Sequence, residues 1–301
     1  MLKKIYYKLF KSKDRYNKFK SEQTIIKQQN LFDEKFKNKL FDISNSINNK
    51  KTLNFLHSGH CGDLIYSLAL IKELSKSHKC NLFIGVGKKI KGAYFKHPSK
   101  GVYIDNRIAK QILPLLKFQS FLNEVKIHSE ESIDINLDLF RDLPISLNFN
   151  SCRWYFHLTG VHVDLSAPYL NSTEHNSVKN KIVILRTFRY RNHFINYNFL
   201  NNIDESIVFV GLKEEFEDLK KDIPKLQHYE PENFFEMSQI IKSSKFFLGN
   251  QSPAFAIAEA LKVPRLLECC PDFTVVHPIG GKCYDFYFQI HFEKWFKKLS
   301  K

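Results

Sequence analysis

The 301-residue sequence holds only eleven Gly and ten Pro. That scarcity argues against collagen-like, linker-rich and small all-β architectures. No run approaches the ~18–20 uncharged apolar residues needed to span a bilayer. The amino terminus, MLKKIYYKLFKSKDRYNKFK, is charged every few residues and lacks a continuous apolar centre, so it does not read as a signal peptide. A soluble, cytoplasmic chain is the expectation. The six cysteines (Cys61, Cys80, Cys152, Cys269, Cys270, Cys283) show no C-x-x-C spacing. They read as reduced, buried thiols; the alternative, zinc held by Cys269, Cys270, His277 and Cys283, is disfavoured because adjacent cysteines rarely share one ion. Also missing are G-x-G-x-x-G, the Walker GxxxxGK[ST] and any D-x-D pair. Those absences disfavour dehydrogenases, P-loop NTPases and an obligatory metal–diphosphate site.

What is present points elsewhere. Hydrophobic residues make up 43% and aromatics 14%, which excludes wholesale disorder, and the length suggests two domains. Residues 1–51 carry fourteen Lys and Arg against five Asp and Glu, so +9 of the formal +15 sits in one sixth of the chain. This basic helical extension is either solvated or laid on an anionic membrane surface. No nucleic-acid module accompanies it, so nucleic acid is not an expected partner.

At Thr52 the periodicity changes. Residues 52–57 read as a strand, 58–63 (SGHCGD) as a loop, and Leu64, Ile65, Leu68, Ile71 and Leu74 as one face of a helix. A strand over 80–86 completes a strand–loop–helix–strand unit, the mark of a parallel sheet covered by helices. Residues 85–92 read as a basic loop, 101–125 as helical and 133–138 as a strand. The polar, aperiodic stretch 171–180 reads as a linker. Strands then recur at 181–186, 206–211, 245–249 and 264–268, with helices at 213–221, 233–243 and 253–262 between them. The expected organisation is an extension (1–51), a Rossmann-like domain (52–170), a linker (171–180), a second Rossmann-like domain (181–285) and an amphipathic C-terminal helix (286–301). That helix either packs back across the domains or lies at a membrane interface.

Open parallel sheets bind ligands beyond the carboxyl ends of their strands. In the first such loop Gly59 and Gly62 permit close backbone approach around Ser58 and His60, and Asp63 is either a helix cap or a catalytic carboxylate. In the second domain, Asn250, Gln251, Ser252 and Pro253 join a buried strand to a helix, either an ordinary helix start or a phosphate cradle. Arg186, Arg189 and Arg191 close the domain's first strand and are either a solvated basic loop or a neutraliser of phosphate charge. Glu214 and Glu215 follow its second strand and are either exposed carboxylates at a helix start or a grip on ribose hydroxyls.

Together these segments resemble the bacterial heptosyltransferase family, glycosyltransferase family nine. HSGHCGDLIYSLALIKEL (57–74) resembles its opening strand, glycine loop and helix. FFEMSQIIKSSKFFLG (234–249) and AIAEALKVP (256–264) resemble the elements flanking its donor-binding turn. Where the family's turn reads Gly-x-Asp-Ser/Thr-Gly followed by His, this sequence has Gln251, Pro253 and Ala256 at the Asp, second Gly and His positions. The resemblance implies a GT-B fold: two Rossmann-like domains facing a cleft. It also implies inverting, metal-independent transfer of a heptose or hexose-like sugar from a nucleoside-diphosphate donor to an anionic surface glycan or glycolipid, with no cofactor. Asp63 would be the general base. Ser58, Gly59, His60, Gly62, Arg186, Arg189, Arg191, Glu214, Asn250, Gln251 and Ser252 would bind substrate. The alternatives are an inactive nucleotide-sugar-binding protein and a sugar-nucleotide epimerase of the same fold.

Overall fold

A computed structural model describes residues 2–90, 99, 101–143, 145 and 147–301. Three helices open the chain: α1 (Leu2–Phe10), α2 (Lys13–Lys35) and α3 (Lys37–Asn49). The first sheet then begins with β1 (Thr52–His57), α4 (Cys61–Leu74), β2 (Lys79–Ile84), α5 (Asn106–Lys117), β3 (Glu124–Ile127) and β4 (Ile135–Asn136), and α6 (Ser151–Thr159) follows. Its strands are parallel in the order β3-β2-β1-β4. The last two residues of the basic 85–92 loop, Lys91 and Gly92, lie outside the described residues.

The second sheet comprises β5 (Ile182–Leu185), β6 (Ile207–Val210), α7 (Lys213–Lys220), β7 (Gln227–Tyr229), α8 (Phe234–Ser243), β8 (Phe246–Asn250), α9 (Pro253–Leu261), β9 (Arg265–Glu268) and β10 (Cys283–Phe286), closed by α10 (Gln289–Ser300). Its order is β10-β9-β8-β5-β6-β7, again parallel. The central strands IVIL, IVFV and FFLGN are buried at every position, as expected of a parallel sheet covered on both faces.

The strand-and-helix alternation read from sequence is present, with four elements it did not resolve: β3, β7, β10 and α6. The strand expected over 133–138 is only two residues long. Asn136 accepts a hydrogen bond from the Asp138 backbone N–H at 3.0 Å and turns the chain into a short 3-10 segment, Leu137–Asp142. The polar 171–180 stretch is tied to α8: Ser172 Oγ lies 2.6 Å from Ser238 Oγ, and the His175 N–H donates to Ser243 Oγ at 2.7 Å.

Helix α4 is buried on nearly all sides because it lies between the first sheet, α6 and α9. One apolar core therefore runs from Phe55 and Leu68 to Phe247, Phe255 and Ile257, joining the two halves through α4 and α9. A second core sits under α10, where Phe292 and Phe296 are buried and the Tyr284–Trp295 and Phe286–Phe292 ring pairs stack at 4.3 Å. The C-terminal helix thus covers the second sheet alone rather than crossing between the halves. Among the described residues, no helix is long and apolar enough to cross a membrane.

Candidate functional site

A cleft lies where the carboxyl ends of the two sheets face each other, with about 1560 Å³ of empty space including its open mouth. One wall comes from the β1–α4 turn, α5 and the start of α6. The other comes from the strand ends at Leu185 and Gly211, the start of α9, and Val275 and Val276. The halves are close: a Cβ on Gly62 would lie 3.9 Å from the Pro253 nitrogen.

On the first wall, Asp63 sits in the first turn of α4, at the positive end of the helix. Its Oδ2 accepts from Arg141 Nη2 at 2.5 Å. No hydrogen bond to Oδ1 is present among the described residues, and Asp63 lines the cleft. Arg141 in turn donates from Nη1 to Asp138 at 2.9 Å, and lies over the Phe140 and Tyr103 rings. Asp138 also receives Lys88 Nζ at 2.9 Å and the Ser58 N–H at 3.1 Å from both oxygens. Burial acts to raise the Asp138 carboxyl, but His57, Arg141 and Lys88 outweigh it and bring it down to about 2. A Cβ on Gly59 would fall 2.0 Å from Arg141 Nη2, so a side chain there would push the guanidinium from its place.

Behind the loop, burial lowers the His57 imidazole to about 4, against the pull of Asp138. Its Nδ1 accepts the Gly59 N–H at 3.1 Å, so the neutral ring carries its proton on Nε2, 3.0 Å from the Tyr155 hydroxyl. Tyr155 then donates to the Asp63 carbonyl at 2.8 Å. Ser58 and Gly59 form this supporting layer, while His60, Gly62 and Asp63 line the cleft.

The three arginines of the second wall part company. Arg186 is buried and donates from Nε and Nη2 to the two Glu268 oxygens at 2.8 and 2.9 Å, beneath the Tyr197 ring. Arg191 donates to Asp218 at 2.5 Å and to the Thr187 carbonyl at 2.9 Å. Neither lines the cleft. Arg189 does, and it has no ion pair among the described residues. Asn250 is also drawn inward: its amide donates to the carbonyls of Thr187 and Arg189, and its oxygen accepts the Thr187 N–H at 2.9 Å. It is the clamp that holds the Arg189 loop against the end of β8.

Of the two carboxylates beginning α7, Glu214 is exposed and away from the cleft, whereas Glu215 is buried and lines it. Burial raises Glu215 to about 7 despite the Phe188 N–H at 3.3 Å and the charges of Arg189 and Arg191. Gln251 and Ser252 line the cleft at the start of α9. Ser252 Oγ accepts the Phe255 N–H at 3.2 Å, and Pro253 has none, so Ala254 offers the one uncapped N–H of the helix's first turn. The cleft also exposes a group that sequence reasoning passed over. Tyr66 is buried one helical turn beyond Asp63, lines the cleft, and its hydroxyl has no hydrogen-bond partner among the described residues. Burial raises its pKa well above the usual phenol value, so it remains a donor.

Among the described residues no group of three or more His, Cys, Asp or Glu is placed to hold a metal ion, and Cys269, Cys270, His277 and Cys283 are not brought together.

No protein-family profile matches the chain, and no curated protein matches it by sequence. Solved structures do match by shape. Escherichia coli heptosyltransferase WaaC with ADP superposes with a TM-score of 0.58 at 10% identity, over 83% of this chain and 100% of that one. A family 9 glycosyl transferase from Veillonella parvula gives 0.55 at 8% identity, over 84% and 90%. Dodecameric iron-containing heptosyltransferase TibC in complex with ADP-D-beta-D-heptose gives 0.50 at 10% identity, over 78% and 63%. The chain has the heptosyltransferase-like GT-B fold of family 9 glycosyltransferases.

Proposed function

We propose that this chain is an inverting, metal-independent glycosyltransferase. Residues 181–285 would bind a nucleoside-diphosphate heptose or hexose-like sugar, and 52–170 an anionic glycan or glycolipid of the bacterial surface. The observation that carries the reading is Asp63, held by Arg141 in the lining of a cleft whose opposite wall holds Arg189, Glu215 and the start of α9. An acceptor hydroxyl attacks the anomeric carbon from the Asp63 side. Its proton passes to Oδ1, the bond from carbon to diphosphate oxygen breaks, and the diphosphate departs with the bonding pair toward Arg189 and the Ala254 N–H. Glu215 accepts from ribose hydroxyls. The protein works in the cytoplasm at the inner membrane face, where the basic residues 1–51 are attracted to anionic lipid.

The test is thermal unfolding with ADP, UDP, GDP and CMP, each with and without magnesium. Ligand at ~100 times its dissociation constant stabilises the fold by about 2.7 kcal/mol. One nucleotide should raise the midpoint without metal. Asp63→Asn should keep that shift while losing about 10²–10⁴-fold in transfer from the matching sugar nucleotide. Silence from all four nucleotides defeats the reading.

A further inference from the structure

The basic extension is not a coil of charge but a built arm. Residues 20–30 of α2 are exposed on every face, so the middle of this 23-residue helix packs against nothing. It spans about 35 Å. The carboxyl end is anchored: Phe36 and Ile43 are buried, and α3 docks on α6. At the other end α1 folds back on α2, where Tyr7 stacks on Phe19 at 4.4 Å and Lys3 Nζ lies over the same ring.

That contact leaves a different face of α1 open. Ile5, Tyr6, Leu9 and Phe10 are 47–71% exposed, side by side at helical spacing, on the helix farthest along the chain from the core. Lys3, Lys4 and Lys8 flank them, Lys11 lies over the Tyr6 ring, and α1 has no acidic residue. An exposed apolar helix face costs free energy in water unless something covers it. A second copy of the same helix would bring lysines against lysines. A nucleic acid would take the lysines and leave the apolar face wet. An anionic bilayer takes both at once, headgroups at the lysines and acyl chains at the rings.

We infer that α1 is a membrane-inserting tip, with its Ile5–Tyr6–Leu9–Phe10 face buried below anionic headgroups and α2 as the stalk that holds the body. This sharpens the membrane contact proposed above from surface attraction to insertion, and does not depend on the transferase chemistry.

The full-length protein is tested by co-sedimentation with phosphatidylcholine vesicles with and without phosphatidylglycerol. Wild type should bind the anionic vesicles. Leu9→Glu with Phe10→Glu should weaken that binding by roughly tenfold or more. Because both positions are exposed, the unfolding midpoint should not change. Trp154 and Trp295 lie in the body, so Phe10→Trp places a reporter at the tip, and its emission should move to shorter wavelength on anionic vesicles. Equal binding by the glutamate variant, or an unmoved Phe10→Trp spectrum on bound protein, overturns insertion and leaves the electrostatic contact standing. No binding by wild type overturns both. Concentration-dependent dimerisation lost in the glutamate variant, without vesicle binding, overturns the choice of a bilayer as occupant.

Discussion

The loops that end β1 and β5 stand opposite each other and treat charge in mirrored ways. At the end of β1, Asp138 and Arg141 from the segment after β4 and Lys88 from beyond β2 join Asp63 in one ion-paired group, in which no hydrogen bond to Asp63 Oδ1 is present among the described residues. After β5, Arg186 and Arg191 are consumed by Glu268 and Asp218, and a single guanidinium, Arg189, is left. Each wall of the cleft holds most of its nearby charges in a frame and leaves one group, Asp63 on the first and Arg189 on the second, of opposite sign. The lesson is that charge density at a strand end does not count ligand contacts. What the neighbouring strands already carry decides which charge remains.

The comparison breaks most visibly at Arg186. It is buried, and among the described residues Glu268 has no other cation, though the Tyr197 hydroxyl and the Asn192 N–H also bond to it. Removing one partner of such a pair strands the other. Arg186→Ala should therefore cost about 3–5 kcal/mol in urea unfolding, whereas Arg189→Ala should stay within about 0.5 kcal/mol of wild type. Similar losses for the two would erase the distinction between frame and free group.

This is also where sequence legibility ended. The apolar runs of β5, β6 and β8, the helices between them and the SGHCGD turn were readable because burial on both faces leaves a continuous signature. Strand β7 and the chain edges β3 and β10 are short and part-exposed, so no such run marks them. Arg186 and Arg189 look alike in the chain. Only the sheet order, which sets β9 two strands from β5, shows that Glu268 meets Arg186. Asp138 and Arg141 were missed because they lie some 75 residues beyond the loop they support. Their signal was position: LDLFRD begins at the carboxyl end of a strand, where parallel sheets gather their sites. Glu214 and Glu215 are adjacent, and the burial of Phe216 and Leu219 was the only clue to which one turns inward.

Glu215 sharpens the comparison through pH. Raised from about 4.5 to about 7, it binds a proton in the folded state that the unfolded chain has already released. Its contribution to stability is therefore present below about pH 4.5 and is lost as pH rises toward 7. Measured against Glu215→Gln, which has no such proton, wild type should lose about 3 kcal/mol across that window and change little above it. A parallel pair of stability curves would mean the carboxylate is ordinary. Nucleotide affinity should move the other way, tightening as the carboxylate forms and accepts ribose hydroxyls.

On the binding side, Arg189→Ala should weaken the stabilising nucleoside diphosphate by roughly ten- to a hundredfold, as expected for a charge-assisted bond of about 1.5–3 kcal/mol. Its dependence on salt should flatten, because the lost contact is ionic. Arg191→Ala should weaken binding less, since its guanidinium already belongs to Asp218 and the Thr187 carbonyl. If the two rank in reverse order, the cleft is read from the wrong wall.

The smallest effect is expected at Tyr66, and its sign is the informative part. A buried hydroxyl with no partner among the described residues is a cost to the fold, so Tyr66→Phe should leave unfolding stability unchanged or raise it by up to about 1 kcal/mol. If that hydroxyl waits for the transferred sugar, the same change should weaken the sugar nucleotide by a few-fold and leave the bare nucleoside diphosphate untouched. The pairing of outcomes matters because packing alone cannot produce it: a cavity or clash would lower stability and disturb both ligands together. Lying one turn past Asp63 on the same helix, Tyr66 would then join the first wall's open group, and the second wall would keep Arg189 for the phosphates.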